Sequence, residues 1–195
     1  MPMFDLFEKY IQSEINISDD DLQLLRSKGT EKKMRRKELL LHEGEISRHK
    51  SFVCRGMLRT FRVNPDGSES IMRFSPENTW SLDPQSYNAV KPTRYTIEAM
   101  EDAWLIQWSK GEMESLFDRI PALKMYSDKL REESYDTTQN RVLANISLSA
   151  EEKYQDFIDT HPGVFLRVPL HMVASYIGVS RETLSRIRQA QVRQK

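Results

Sequence analysis

The chain has 195 residues, and Lys+Arg and Asp+Glu stand level at 29 each, so the formal net charge is zero. That balance excludes bulk charge as a handle for nucleic acid or membrane, and any electrostatic recognition must come from where the charges sit. At 38% hydrophobic and 30% charged, the composition is that of a soluble protein with no apolar run long enough to span a bilayer. The lone Cys54 excludes an internal disulfide and cannot alone supply a cysteine metal cluster or structural zinc site. The start, MPMFDLFEKYIQSE, is acidic and amphipathic and lacks the basic, apolar pattern of a secretion signal. A cytoplasmic location is expected, with no membrane partner.

Phe4 to Ile15 predicts a short helix, because Phe4, Phe7 and Ile11 recur at helical spacing. Ser18 is placed to cap a second helix, with Asp19, Asp20 and Asp21 at the positive end of its dipole and Gly29 at its end. From Glu31 to about Trp108 the segments shorten and become strand-like: KELLLHEGE, SFVCRGMLRTFRV, SESIMRF, RYTIEAM and AWLIQWS. Alternation predicts Phe61 and Val63 on one face of a half-buried strand, and Met72 with Phe74 on one face of the next. NPDG, Asn64 to Gly67, predicts the turn between them. Many short antiparallel strands with regular turns predict a jelly roll or barrel, with Trp80, Trp104 and Trp108 in its core.

Helical periodicity returns at Lys110 to Phe117, and Pro121 suits the first turn of a helix running to about Ile146. Leu116, Leu123 and Leu130 recur every seven residues, with Tyr126 between the last two. This heptad trace makes Leu123, Tyr126, Leu130 and Thr137 a candidate dimer seam. Two alternatives stay open: a shifted phase through Tyr135 and Val142, and a helix packed on its own barrel. Ser149 and Glu152 form a capping-box pattern for a helix that must stop at His161, since Pro162-Gly163 cannot continue it.

The segment HMVASYIGVSRETLSRIRQ, His171 to Gln189, meets the geometric demands of a helix-turn-helix. With the first helix starting at Leu170, Ala174 is the small residue at the crossing and Gly178 is the turn. Val173, Ile177, Val179, Leu184 and Ile187 anchor both helices, and Ser180 caps the second. Arg181, Ser185 and Arg188 share its outer side, flanked by Glu182, Arg186 and Gln189. Arginine grips guanine O6 and N7 with two donors, and glutamate accepts from cytosine N4. Ser180, Arg181, Glu182, Ser185, Arg186 and Arg188 are therefore the candidate DNA-binding residues.

VSRETLSRIRQ resembles the recognition helix of the Crp/Fnr superfamily of transcription regulators almost residue by residue. Gly44, Gly56 and the DGSE turn at Asp66 to Glu69 are similar to glycine and turn positions of that family's cyclic-nucleotide-binding fold. The resemblance covers nearly the whole chain. It implies an α+β protein: a jelly-roll sensor domain at about 1–110, a dimerisation helix at 111–147, and a helix-turn-helix domain at 148–195. It implies base and phosphate contacts for Arg181 and Glu182 and a guanine contact for Arg186. Its expected partners are duplex DNA, a second copy of the chain, RNA polymerase and a small-molecule effector.

The sequence departs from the family twice. Members that bind cyclic nucleotides carry Gly-Glu to hold phosphate and ribose, then an Arg followed by a small hydroxyl residue. Here Ser81-Leu82 stand in place of Gly-Glu, Trp80 is bulky, and Arg94 comes one position late, with Thr93 in the expected slot. Trp80, Ser81, Leu82, Thr93 and Arg94 are the effector-pocket candidates, but cyclic AMP is not expected and no cofactor is assigned. Second, the family commonly continues past the recognition helix into a β-hairpin wing. Here a truncated wing is expected, with the basic tail RQAQVRQK partly substituting for it.

His42, His49, His161 and His171 show no metal-ligand spacing, and no nucleophilic triad or phosphate-cradling glycine loop is present. Neither an enzyme nor a metal site is expected. The function expected is that of a homodimeric, sequence-specific transcription regulator. The alternative is a sensor module, for a small ligand or a cyclic nucleotide, whose DNA specificity has lapsed.

Overall fold

The computed structural model describes residues 2–193. It opens with α1 (Met3–Glu14) and α2 (Asp19–Lys28). As expected, Phe4, Phe7 and Ile11 are buried, and the Ser18 hydroxyl accepts from the Asp21 N–H. Gly29 closes α2 for a steric reason. Its backbone is extended (φ −85°), but a Cβ there would lie 2.7 Å from Phe4 and 2.9 Å from Ile106.

Eight strands follow, in two four-stranded sheets. They are β1 (Thr30–Met34), β2 (Leu39–Leu41), β3 (His49–Arg55), β4 (Leu58–Val63), β5 (Glu69–Ser75), β6 (Thr79–Ser81), β7 (Thr96–Ala99) and β8 (Ala103–Ser109). One sheet runs β1-β8-β3-β6, the other β2-β7-β4-β5. The registered pairs are antiparallel, with Phe52 opposite Ile106 and Phe52 also opposite Trp80. A short α3 (Pro84–Ala89) is inserted between β6 and β7. This is the jelly-roll architecture that the strand pattern predicts.

Both faces of the β1-β8-β3-β6 sheet are covered, and period two sorts the residues between them. Phe52, Cys54, Ile106 and Trp108 pack outward against α1, α2, α4 (Lys110–Arg119) and the start of α5 (Pro121–Ser147). Trp108 is fully buried, with its indole N–H donating to the Leu25 carbonyl, while Trp80 and Trp104 are half-buried against the same cluster. Val53, Ala103 and Leu105 point the other way and meet Leu41, Leu58 and Ile97 of the facing sheet.

Two expectations of alternation do not hold. The stretch SFVCRGMLRTFRV is two strands, broken at Gly56-Met57. Gly56 has φ +87° and a carbonyl so close that an added Cβ would sit 2.5 Å from Asp102 O. Thr60 and Phe61 are both buried while Val63 is exposed, and Met72 is exposed where Phe74 is buried.

Packing divides the chain into two units: Met1–Arg62 with Arg73–Arg131, and Val63–Met72 with Glu132–Lys195. The long helix α5 thus gives residues to both units. The reason is local: Leu123 and Tyr126 complete the apolar cluster over the jelly roll, and the Tyr126 hydroxyl bonds that of Tyr10 at 2.6 Å.

In the second unit, α6 (Ala150–Thr160) begins with the Ser149/Glu152 capping box, both halves formed. It stops at His161 as expected, and a one-turn α7 (Pro162–Phe165) follows at once, with Pro162 in its first turn. Then come α8 (Leu170–Ile177) and α9 (Arg181–Arg193). No helix of the described residues is long and apolar enough to cross a membrane.

Candidate nucleic-acid interface and sensor cavity

Helices α8 and α9 are joined by a turn that local chemistry dictates. Gly178 sits at φ +71°, in the left-handed region. The Val179 N–H reaches back to Ala174 O at 3.0 Å and the Gly178 N–H to Ser175 O at 3.4 Å, a Schellman-type closure. Ser180 then caps α9, accepting from the Thr183 N–H at 3.1 Å. Val173, Ala174, Ile177, Leu184 and Ile187 are buried, and behind them stand Tyr154 and Phe157 of α6. His161 stacks on Phe157 with centroids 5.2 Å apart, and burial lowers its pKa.

The same periodicity turns a basic face outward. Ser180, Arg181, Glu182, Arg186 and Arg188 are exposed and Ser185 is half-buried. Arg181, Arg186 and Arg188 make no ion pair with any described residue. The Glu182 carboxyl is held below the usual range, first by its own backbone N–H, then by the Ser180 hydroxyl, then by Arg181 and Arg186. Of the tail RQAQVRQK, Gln194 and Lys195 lie outside the described residues.

The second unit also carries a tie that sequence reading missed. The Ser175 hydroxyl donates to Glu69 O (2.7 Å) and accepts from the Ile71 N–H (2.9 Å). Arg141 donates to Met72 O (2.6 Å) and Ile71 O (3.0 Å), with its guanidinium 4.2 Å from the Tyr176 ring centroid. No short-range pattern points to it, since the partners lie about seventy to a hundred residues apart.

The candidate seam residues on α5 do not share one environment. Leu123 and Tyr126 are buried, Leu130 packs partly against the jelly-roll cluster, and Thr137 is exposed, with its hydroxyl on Glu133 O. Met125, Tyr135, Val142, Leu143 and Ile146 are the exposed large apolar residues of this helix. Tyr135, Val142 and Ile146 follow at intervals of seven and four, the alternative heptad phase.

Among the effector-pocket candidates, Ser81 and Leu82 line a cavity of about 560 Å³ that Leu41, Ser51, Ile97 and Gln107 also line. Trp80 points to the opposite face of its strand, into the aromatic cluster with Phe7, Phe52 and Trp108. Thr93 is buried and donates to Asp83 Oδ2 at 2.6 Å, while Arg94 is exposed.

Asp83, which sequence reading did not single out, governs this corner. It is buried, caps α3 and accepts from the Gln85 and Ser86 N–H groups at 3.0 and 3.3 Å. A bound cyclic phosphate requires free backbone N–H groups and a fixed cation. Here the N–H groups at the start of α3 are taken by the chain's own acidic side chain, and Arg94 is not held against them. These residues do not fit a cyclic nucleotide. Among the described residues, no cluster of three His, Cys, Asp or Glu could hold a metal ion.

Comparison with known proteins agrees with this architecture. Residues 31–120 match the cyclic nucleotide-binding domain family, somewhat under half of the chain. No curated protein sequence matches. Among solved structures, FixK2 from Bradyrhizobium japonicum is similar with a TM-score of 0.73 and 18% identity, over 85% of each chain. A CooA mutant from Carboxydothermus hydrogenoformans gives 0.71 at 15% identity, over 87% of this chain and 79% of that one. A protein from Eubacterium rectale assigned to the Crp/Fnr family of transcriptional regulators gives 0.69 at 16% identity, over 91% and 85%. Residues 31–120 thus form a domain of the cyclic nucleotide-binding family, and the chain as a whole has the fold of the Crp/Fnr transcription regulators.

Proposed function

We propose that the chain is a sequence-specific DNA-binding transcription regulator that acts as a homodimer and is not gated by a cyclic nucleotide. The observation that carries this reading is α9: a helix braced on one side by Leu184 and Ile187, with Arg181, Arg186 and Arg188 exposed on the other and in no ion pair among the described residues. A structural helix face commonly interleaves opposite charges; this one offers guanidinium groups whose donors match guanine edges and phosphate oxygens. Ser180, Arg181, Glu182 and Arg186 stand at the end that a recognition helix inserts into the major groove. Ser185 and Arg188 lie on the same outer side.

Two copies would present two such helices to grooves about 34 Å apart on a pseudo-palindromic site. The seam for that pairing is the exposed phase of α5 through Tyr135, Val142 and Ile146, in place of Leu123 and Tyr126, which the jelly roll uses. The jelly roll is the sensing part, and tilting of α5 would bring the two reading heads into or out of register. Failure of cyclic AMP to bind is expected from Asp83 and Arg94, and calorimetry checks it.

The direct test is binding to duplex DNA by the wild type and Arg186→Ala. The substitution should cost about 1–3 kcal/mol, concentrated at one base position. A uniform loss across sequences would make Arg186 a phosphate contact, and no loss would remove it from the interface. Salt-dependent binding with no sequence preference would favour the lapsed-reader alternative.

A further inference from the structure

The space between the two sheets changes character along its length. At one end Val53, Leu58, Ile97, Ala99, Ala103 and Leu105 form an apolar core. At the other, the inward positions of three adjacent strands are polar: Ser81, Ser51 and Gln107. Ser51 is opposite Ser81 in one register and opposite Gln107 in the other, so the three form a row across β6, β3 and β8. Gln107 Nε2 donates to Ser51 Oγ at 3.0 Å. Ser81 is 2% exposed, and its hydroxyl has no hydrogen-bond partner among the described residues. A polar row in a jelly-roll interior is unfavourable unless something completes its hydrogen bonds. The row opens on the cavity of about 560 Å³, a size usual for small-ligand sites.

We propose that this cavity binds a small monocarboxylate with an apolar body. The row supplies donors: the Ser81 and Ser51 hydroxyls and the second N–H of the Gln107 amide. A carboxylate is acceptor-only and uses such donors fully. Lys32 and Arg48, also in the lining, supply positive charge, and the acidic Glu45 has Oε2 engaged by the His42 N–H at 2.8 Å. Leu41, Ile46, Leu82 and Ile97 face the apolar body. A phosphate is disfavoured, since buried Asp83 lies two residues from Ser81 and holds the nearest helix-start N–H groups. The proposal rests on the sensing role given to the jelly roll above.

The test is ligand-observed saturation-transfer NMR on the full chain, with hexanoate and benzoate against hexanamide and benzamide. Both acids should bind, and the amides about tenfold more weakly, the difference between a charge-assisted and a neutral hydrogen-bond set. Gln107→Glu should repel the acids, and Ser81→Ala, which removes a hydroxyl with no partner among the described residues, should weaken them while leaving the fold intact. Equal binding of acids and amides, acid binding unchanged in both variants, or no acid binding at millimolar concentration would each overturn the site. DNA binding by the same preparations separates the two readings. Lost acid binding with DNA binding intact sinks the cavity proposal alone, and the reverse sinks the regulator alone.

Discussion

Lys50 shows how a single half-buried charge sets a pH dependence. Its ammonium donates to Ser127 Oγ at 2.7 Å and lies 5.0 Å from the Trp80 ring centroid and 5.6 Å from that of Phe117. Burial, then repulsion from Arg131, pushes its pKa down to about 8, with Asp128 opposing. Folded Lys50 therefore binds fewer protons than unfolded Lys50 between about pH 8 and its ordinary value of 10.5. Stability rises with pH through that window, and the cost of the charge is fully in place below it. The melting temperature of the wild type, relative to Lys50→Met, should climb from pH 8 to pH 10; a constant difference would contradict this. Gly178 makes a second case. Alanine there would be strained at φ +71°, with its Cβ 3.4 Å from Asn145 Oδ1. Gly178→Ala should cost about 1–3 kcal/mol in urea unfolding, and Gly178→Asn less, because asparagine tolerates the left-handed region. Gly178 and the Ser180 cap were legible in the sequence because each acts within four residues. The Ser81–Ser51–Gln107 row was not, because register across three strands joins it; Asp83 did carry a local signal, an aspartate before Pro84 at the start of α3, that sequence reading missed. The one visible signal of the row was Gln107, the polar inward position of AWLIQWS beside Ala103 and Leu105.

At the scale of elements, the two heptad phases of α5 lie in different surroundings. Both phases of the repeat carry apolar residues, so periodicity alone could not choose between them. Burial tells them apart: Leu123 is 2% exposed against the jelly roll, while Val142 and Ile146 are 50% and 79% exposed. Leu123→Ala should therefore lower folding stability by about 2–5 kcal/mol, as large-to-small core changes do. Tyr135→Asp with Val142→Asp should leave the melting of a dilute sample little changed and shift sedimentation from dimer to monomer. The opposite pattern would return the seam to the first phase. The starts of α2, α6 and α9 were read well, because Ser18, Ser149 and Ser180 cap in place. The strands β4 and β5 were read less well. Their buried residues follow what packs on each side, and Val63 and Met72 are exposed where alternation alone puts them inside.

At the scale of the whole molecule, the chain carries a jelly roll in which Asp83 caps α3, and an α8–α9 pair whose arginines Arg181, Arg186 and Arg188 make no ion pair among the described residues. Fold class was legible from texture: short strands, then long helical periodicity, then a glycine turn between two small helices. The division into packing units was not, because α5 gives residues to both. The most direct measurement is a selection of bound sequences from a random duplex library with the wild-type chain. The account predicts two inverted half-sites, centred about one helical turn apart or a small multiple of it, with enrichment lost at one position for Arg186→Ala. A bound pool no different in sequence from the input library would contradict it.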